Sequence, residues 1–275
     1  MFSLLWHELR VRRGSVTAWA LALSFFSVIY MIVYTALPDE VRGIDPQTLS
    51  LLKSFGVKSL ATFEGFILGT AFNVLPLIAA IFGMFTGIGT LIAEEDSGTL
   101  ELLATLPISR VQLILAKVFA LFIAAFMALV VAGLIAMGVF AMLQIDTSIT
   151  AIDLFWVILS HWLMVYVFMT LSLFLGAYLP NRITALSTTA AVLMVSFFGE
   201  RLAGMAPGVL DPYQPYFPFY YFKHVVEMLS GDIAWGDMLT LFLAGFGFLA
   251  LAVIGFNRRN LTVGAWPWQR PKIGR

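Results

Sequence analysis

The chain has 275 residues, 60% hydrophobic and 12% charged, with 16 basic and 16 acidic side chains and no cysteine. An ordinary soluble domain, about a quarter charged, is excluded by that composition, and disulfides and thiolate metal sites are excluded with the thiols. Formal net charge is zero, and the basic residues are dispersed along the chain, which gives nucleic-acid binding no support.

Taken in order, Met1–Arg13 reads M-F-S-L-L-W-H-E-L-R-V-R-R. Phe2, Leu5, Trp6 and Leu9 make an apolar stripe edged by Arg10, Arg12 and Arg13, the pattern of an interfacial helix over residues 1–14. It serves as a juxtamembrane anchor, a partner contact, or both. Six runs of roughly 18 or more uncharged residues follow, each long enough for a ~30 Å hydrocarbon core. They are Ser15–Leu37, Gly65–Ala93, Val118–Leu143, Leu154–Leu179, Ile183–Gly199 and Met238–Phe256. The first is too long for a signal-peptide core and is expected to be retained as an anchor. The expected fold is thus an all-α integral membrane protein, one six-span domain over residues 1–275.

Pro38–Glu64 is the first loop, with a short helix expected at Gln47–Phe55 and no ligand cluster. The second span carries Pro76, an expected kink, and G-M-F-T-G at Gly83–Gly87, which suits close helix packing within the chain or at a subunit interface. Ala132, Gly133, Ala136 and Gly138 make the third span similar. In the fourth, His161 lies between Trp156 and Trp162. An intramembrane titratable group is a functional candidate by default, but its position two turns from one end favours an aromatic-belt role. Tyr178–Arg182 is a tight turn. Ala206–His224 sets Pro207, Pro212, Pro215 and Pro218 among aromatics from Tyr213 to Phe222. The prolines prevent a continuous span, and the aromatics are expected to keep the segment at the interface.

The polar interruption at Ala93–Lys117 holds the densest acidic cluster, Glu94, Glu95 and Asp96. Three acids before Ser-Gly-Thr suit a helix start. Thr99–Leu106 would then be a two-turn helix with Leu100, Leu103 and Leu106 on one stripe. Pro107 would end it, and Ser109 with Gln112 would cap the next. So short a helix is unstable alone in water, so its leucines call for a partner surface. With six spans, 11 of the 16 basic residues share the face of this loop and both termini: Arg10, Arg12, Arg13, Arg110, Lys117, Arg182, Arg258, Arg259, Arg270, Lys272 and Arg275. Arg42, Lys53, Lys58, Arg201 and Lys223 fall on the other. The positive-inside rule puts the basic face in the cytoplasm.

E-E-D-S-G-T-L-E-L-L-A-T-L-P-I-S-R, ending in Lys117, resembles the cytoplasmic loop of permease subunits in the ABC-2 family of ATP-binding-cassette transporters. Arg258-Arg259-Asn260-Leu261 resembles a further family element in which Asp is frequent where Asn260 stands. The resemblance implies a cytoplasmic coupling helix between spans 2 and 3 (loop 94–110). Glu94, Glu95, Gly98, Thr99, Leu100, Glu101, Leu103, Leu106, Pro107 and Arg110 would engage a separate ATPase present in two copies. It also implies short re-entrant helices between spans 5 and 6 (203–237), an outer gate with Pro215, Phe217, Phe219 and Tyr220. A second permease subunit, identical or not, would complete a dimer in the plasma (inner) membrane of a prokaryote, among its lipids. The chain has no G-x-x-x-x-G-K-[ST] motif, paired intramembrane carboxylates, nucleophile elbow or metal-ligand spacing among His7, His161 and His224. No cofactor is therefore expected in this chain, with ATP–Mg on the partner, and no enzymatic site. The rival readings are an ion- or proton-coupled carrier, which ordinarily needs carboxylates or broken helices at mid-membrane, and an integral-membrane enzyme.

Overall fold

The structure is a computed structural model, and it describes residues 2–43, 59–96, 110–205, 210–230 and 233–258. Every regular element among them is helical. The order is α1 (Phe2–Ala36), α2 (Asp39–Arg42), α3 (Phe63–Gly69), α4 (Ala71–Asp96), α5 (Arg110–Leu143), α6 (Ala151–Ser160), α7 (Trp162–Tyr178) and α8 (Arg182–Met205). A 3₁₀ turn (Asp211–Tyr216), α9 (Pro218–Val226), a second 3₁₀ turn (Glu227–Ser230) and α10 (Trp235–Arg258) follow. Among the described residues six helical stretches are long and apolar enough to cross a membrane, and within hydrocarbon a helix satisfies all its backbone amides internally. Residues 2–14, expected as an interfacial helix, are helical and run without interruption into the first span.

The fourth span is the hub. Of its most apolar window 89% is buried within the protein, against 28% for the first, fifth and sixth spans. Span 4 thus meets mainly protein, and those three meet mainly lipid or another subunit. Glycines let its neighbours close in. A Cβ built on Gly83 would sit 2.3 Å from the Val165 carbonyl oxygen, and one on Gly87 2.0 Å from Ser172 Oγ. The Gly83–Gly87 pair therefore packs α4 on α7 inside the subunit, which settles the two readings of that motif in favour of internal packing. On the other flank Gly245 receives the Tyr166 ring and Gly255 that of Tyr178.

Two spans are broken in places the sequence did not mark. Span 2 is interrupted at Thr70, whose hydroxyl and amide both donate to Phe66 O, at 2.6 and 3.0 Å. Pro76, where a kink was expected, lies inside the continuous helix α4. Span 4 is interrupted at His161, which caps α6 and opens α7. Elsewhere Ser24, Ser27, Thr170 and Thr189 donate back to carbonyls one turn earlier, so no buried hydroxyl lacks an acceptor there. The expected helix at Gln47–Phe55 lies outside the described residues.

Candidate functional site

Two regions at opposite ends of the bundle carry the expected functional residues. At the basic end, α1 and α5 are 35 and 34 residues long. At 1.5 Å per residue each extends about 50 Å, well beyond a ~30 Å core. The second span likewise continues three residues past its expected end at Ala93, so Glu94, Glu95 and Asp96 are helical and carry α4 onward. This corrects the expectation that the acids open a helix. The run of helix formers continues unbroken from the span, and glutamate keeps good helix propensity. Arg110 is the first described residue of α5, and Ser109 lies outside the described residues. Gly98, Thr99, Leu100, Glu101, Leu103, Leu106 and Pro107 lie outside the described residues. Lys117, one of the residues counted on the basic face, is 1% exposed within α5.

At the opposite end the proline-rich segment forms the expected short helices. Pro218 occupies the first position of α9, where its missing N–H costs nothing. The expectation that the aromatics stay at the interface holds only for some. Tyr213 and Tyr216 are exposed, but Phe219 and Phe222 are buried. Phe219 packs between Phe168 and Phe197, with ring centroids 5.8 and 5.3 Å away. Phe222 meets the His161 ring edge-on at 4.8 Å. Phe217 fills the space beside Gly199, and half-buried Tyr220 contacts Tyr221 and His224. The segment is therefore wedged into the bundle by alternate aromatics rather than floating on it. Polar contacts tie its rim: His224 Nδ1 lies 2.8 Å from Asp237 Oδ2 at the start of α10, and Lys223 Nζ 3.8 Å from Glu200 Oε1 on α8. Arg201 donates to Asn73 O at 2.8 Å while covering the Phe197 ring.

His161 lies beneath this wedge, fully buried and also facing Phe72 of α4. The expected aromatic-belt role is corrected: the break in span 4 turns the ring into the protein. The sequence reading missed Glu64 altogether. Its Oε1 accepts from Thr147 Oγ1, from Ser148 N at 2.9 Å and from Ser148 Oγ at 3.0 Å. That carboxylate fastens the start of span 2 to the turn before span 4, more than eighty residues away in sequence. No group of three or more His, Cys, Asp or Glu suited to a metal occurs among the described residues.

Among the described residues, five apolar helical stretches around one buried span define a multi-pass membrane protein. Residues 2–261 match the family model described as ABC-2 family transporter protein, so the chain belongs to the ABC-2 transporter family. It is accordingly a permease component of an ABC transporter, a class that associates with an ABC ATPase. A search of curated proteins found no match.

Proposed function

We propose that this chain is one of two permease subunits of an ATP-driven exporter of lipophilic or amphipathic compounds, such as drugs, lipids or peptides. Each subunit would dock one separately encoded ATPase through the 94–110 loop, with both termini in the cytoplasm of a prokaryote. The observation that carries this reading is the family match over residues 2–261 together with the acidic, leucine-bearing loop between α4 and α5. Closing of the ATP-bound ATPases would push that loop, and α4 would transmit the push to α7 through the close Gly83 and Gly87 contacts. Phe219 and Phe222, seated on α7, α8 and His161, would release or reseat the outer plug. ATP and Mg act on the partner, and this chain supplies movement and pathway.

The decisive experiment compares Leu103→Asp with Glu101→Ala in the intact complex, by ATPase pull-down and by ATP-dependent transport in vesicles. A charge forced into an apolar contact costs about 3 kcal/mol or more, so Leu103→Asp should abolish capture while the chain still inserts. Glu101→Ala should weaken coupling more than assembly. Full capture and full transport by Leu103→Asp would reject the coupling role of the loop. Dependence of transport on an ion gradient rather than on ATP would favour the secondary-carrier reading.

A further inference from the structure

The break in span 4 leaves one polar atom unanswered deep in the bundle. His161 follows the ten residues of α6, which puts it about 15 Å along the span, half of a ~30 Å core. Its backbone N–H donates to Ile158 O at 3.2 Å, three residues back rather than the four of an α-helix. The ring takes up the carbonyl one further back, with Nδ1 2.8 Å from Val157 O. Because a carbonyl only accepts, Nδ1 carries the hydrogen, and Nε2, across the ring, is left as an acceptor. It is buried with no hydrogen-bond partner among the described residues. A leucine or methionine would fill this position without that cost, so an unmet acceptor at the hub of the fold calls for a role.

Three elements meet around the ring. Span 2 is broken at Thr70, and Phe72, two residues past that break, has its ring centroid 6.0 Å from that of His161. Helix α9 packs against both α4 and α6 and sets Phe222 edge-on to His161 at 4.8 Å. The two interruptions therefore lie close together, and the imidazole between them is covered by a helix of nine residues. Interrupted spans are where transported molecules find polar partners, because an unbroken helix spends its backbone groups on itself. The surroundings also limit what could meet Nε2. No charged group is among the described contacts of His161, so an ammonium would be buried without a counter-charge. A hydroxyl brings its hydrogen without a charge, and an apolar remainder suits the two phenylalanines.

We propose that His161 forms a binding site for a neutral lipophilic alcohol: when α9 withdraws Phe222, Nε2 accepts a hydrogen bond from the hydroxyl. This deepens the export reading and rests on its movable outer plug, but binding is measured separately from transport.

The full chain is reconstituted in phosphatidylcholine vesicles with a long-chain alcohol carrying a diazirine near its hydroxyl, or with the methyl ether of the same alcohol. The ether keeps the apolar body and lacks the donor hydrogen. Photolabelled peptides are mapped by mass spectrometry. The alcohol should label residues 72, 161 and 219–222 about tenfold more than the ether, the scale of one hydrogen bond to a buried acceptor. That preference should vanish in His161→Met and persist in His161→Gln, whose amide oxygen replaces Nε2 as an acceptor. Phe222→Ala, which uncovers the ring, should raise labelling by the alcohol severalfold. Equal labelling of wild type by the two probes overturns the proposal even if a variant inserts poorly, and so does a preference that survives in His161→Met. Vesicles that also hold the ATPase separate this outcome from that of the export reading. ATP-dependent movement of the alcohol without preferential labelling would keep export and reject the site. Preferential labelling without ATP-dependent movement would support the site and reject export of the alcohol.

Discussion

At His161 the two ring nitrogens have unequal fates. Nδ1 is 2.8 Å from the Val157 carbonyl, and a carbonyl only accepts, so Nδ1 carries the hydrogen and Nε2 is left as an acceptor. That Nε2 is buried with no partner among the described residues. An unmet buried acceptor costs about 1–3 kcal/mol, and the bond at Nδ1 returns about 1. Methionine has nearly the same volume and neither polar atom. The expectation for His161→Met is therefore an unchanged or slightly raised melting temperature in detergent. A fall of several degrees would mean that Nε2 has a partner in the assembled protein. Gly87 tests the opposite case. Its α carbon faces Met169 O and Ser172 Oγ so closely that any side chain must push α4 off α7. Gly87→Val should destabilise by about 3 kcal/mol, the scale of core overpacking, whereas Gly89→Val, which meets open space, should leave the melting temperature near wild type.

At the scale of elements, α9 is held by two rings on one side and by the His224–Asp237 and Lys223–Glu200 contacts on the other. Removing a buried phenylalanine costs about 3–5 kcal/mol, more than polar contacts at the rim supply, because a single such contact at the protein surface contributes about 1 kcal/mol. Phe222→Ala should therefore loosen the wedge, read as faster maleimide labelling of a cysteine placed at buried Ser160. Asp237→Asn should change that rate little. Equal rates in Phe222→Ala and wild type would mean that the rim, not the rings, holds α9. Tyr220→Ala, which spares the core, is the cleaner probe of substrate preference. The existence of these elements was legible beforehand, since eighteen uncharged residues can only span and four prolines cannot. Which aromatics would turn inward was not legible, because phenylalanine suits a lipid interface and a protein interior equally. The breaks at Thr70 and His161 were hidden for a related reason. No proline marks either break, Gly69 beside Thr70 is one of several glycines in that span, and long apolar runs give no polar punctuation. The Glu64–Ser148 contact joins two loops remote in sequence, so nothing local could announce it. Of the coupling residues, composition showed the acids and leucines, but only the path of α4 placed the acids within the helix that continues span 2.

For the whole molecule, six spans fix the relative sides of every turn, and charge then fixes the absolute orientation. The turn between α5 and α6 contains Asp146, and the turn between α7 and α8 contains Asn181; both residues are exposed. An odd number of spans separates them, so they lie on opposite sides of the membrane whatever its polarity. The 11 of 16 basic residues that share the Asn181 side assign it to the cytoplasm. Because the chain has no cysteine, single cysteines can be introduced without a background. Cysteines at Asn181, Ser3 and Gly274 should resist an impermeant maleimide in intact cells and react after permeabilisation, whereas one at Asp146 should react in both. Asp146 is preferred to Ser148 as the outer reporter, since Ser148 holds Glu64 and its replacement would disturb the link between spans 2 and 4. Labelling of all four sites in intact cells would point to leakage or mixed insertion. Labelling of Asn181 with protection of Asp146 would invert the molecule, placing the acidic loop outside the cell, beyond any ATPase, and ending the coupling mechanism.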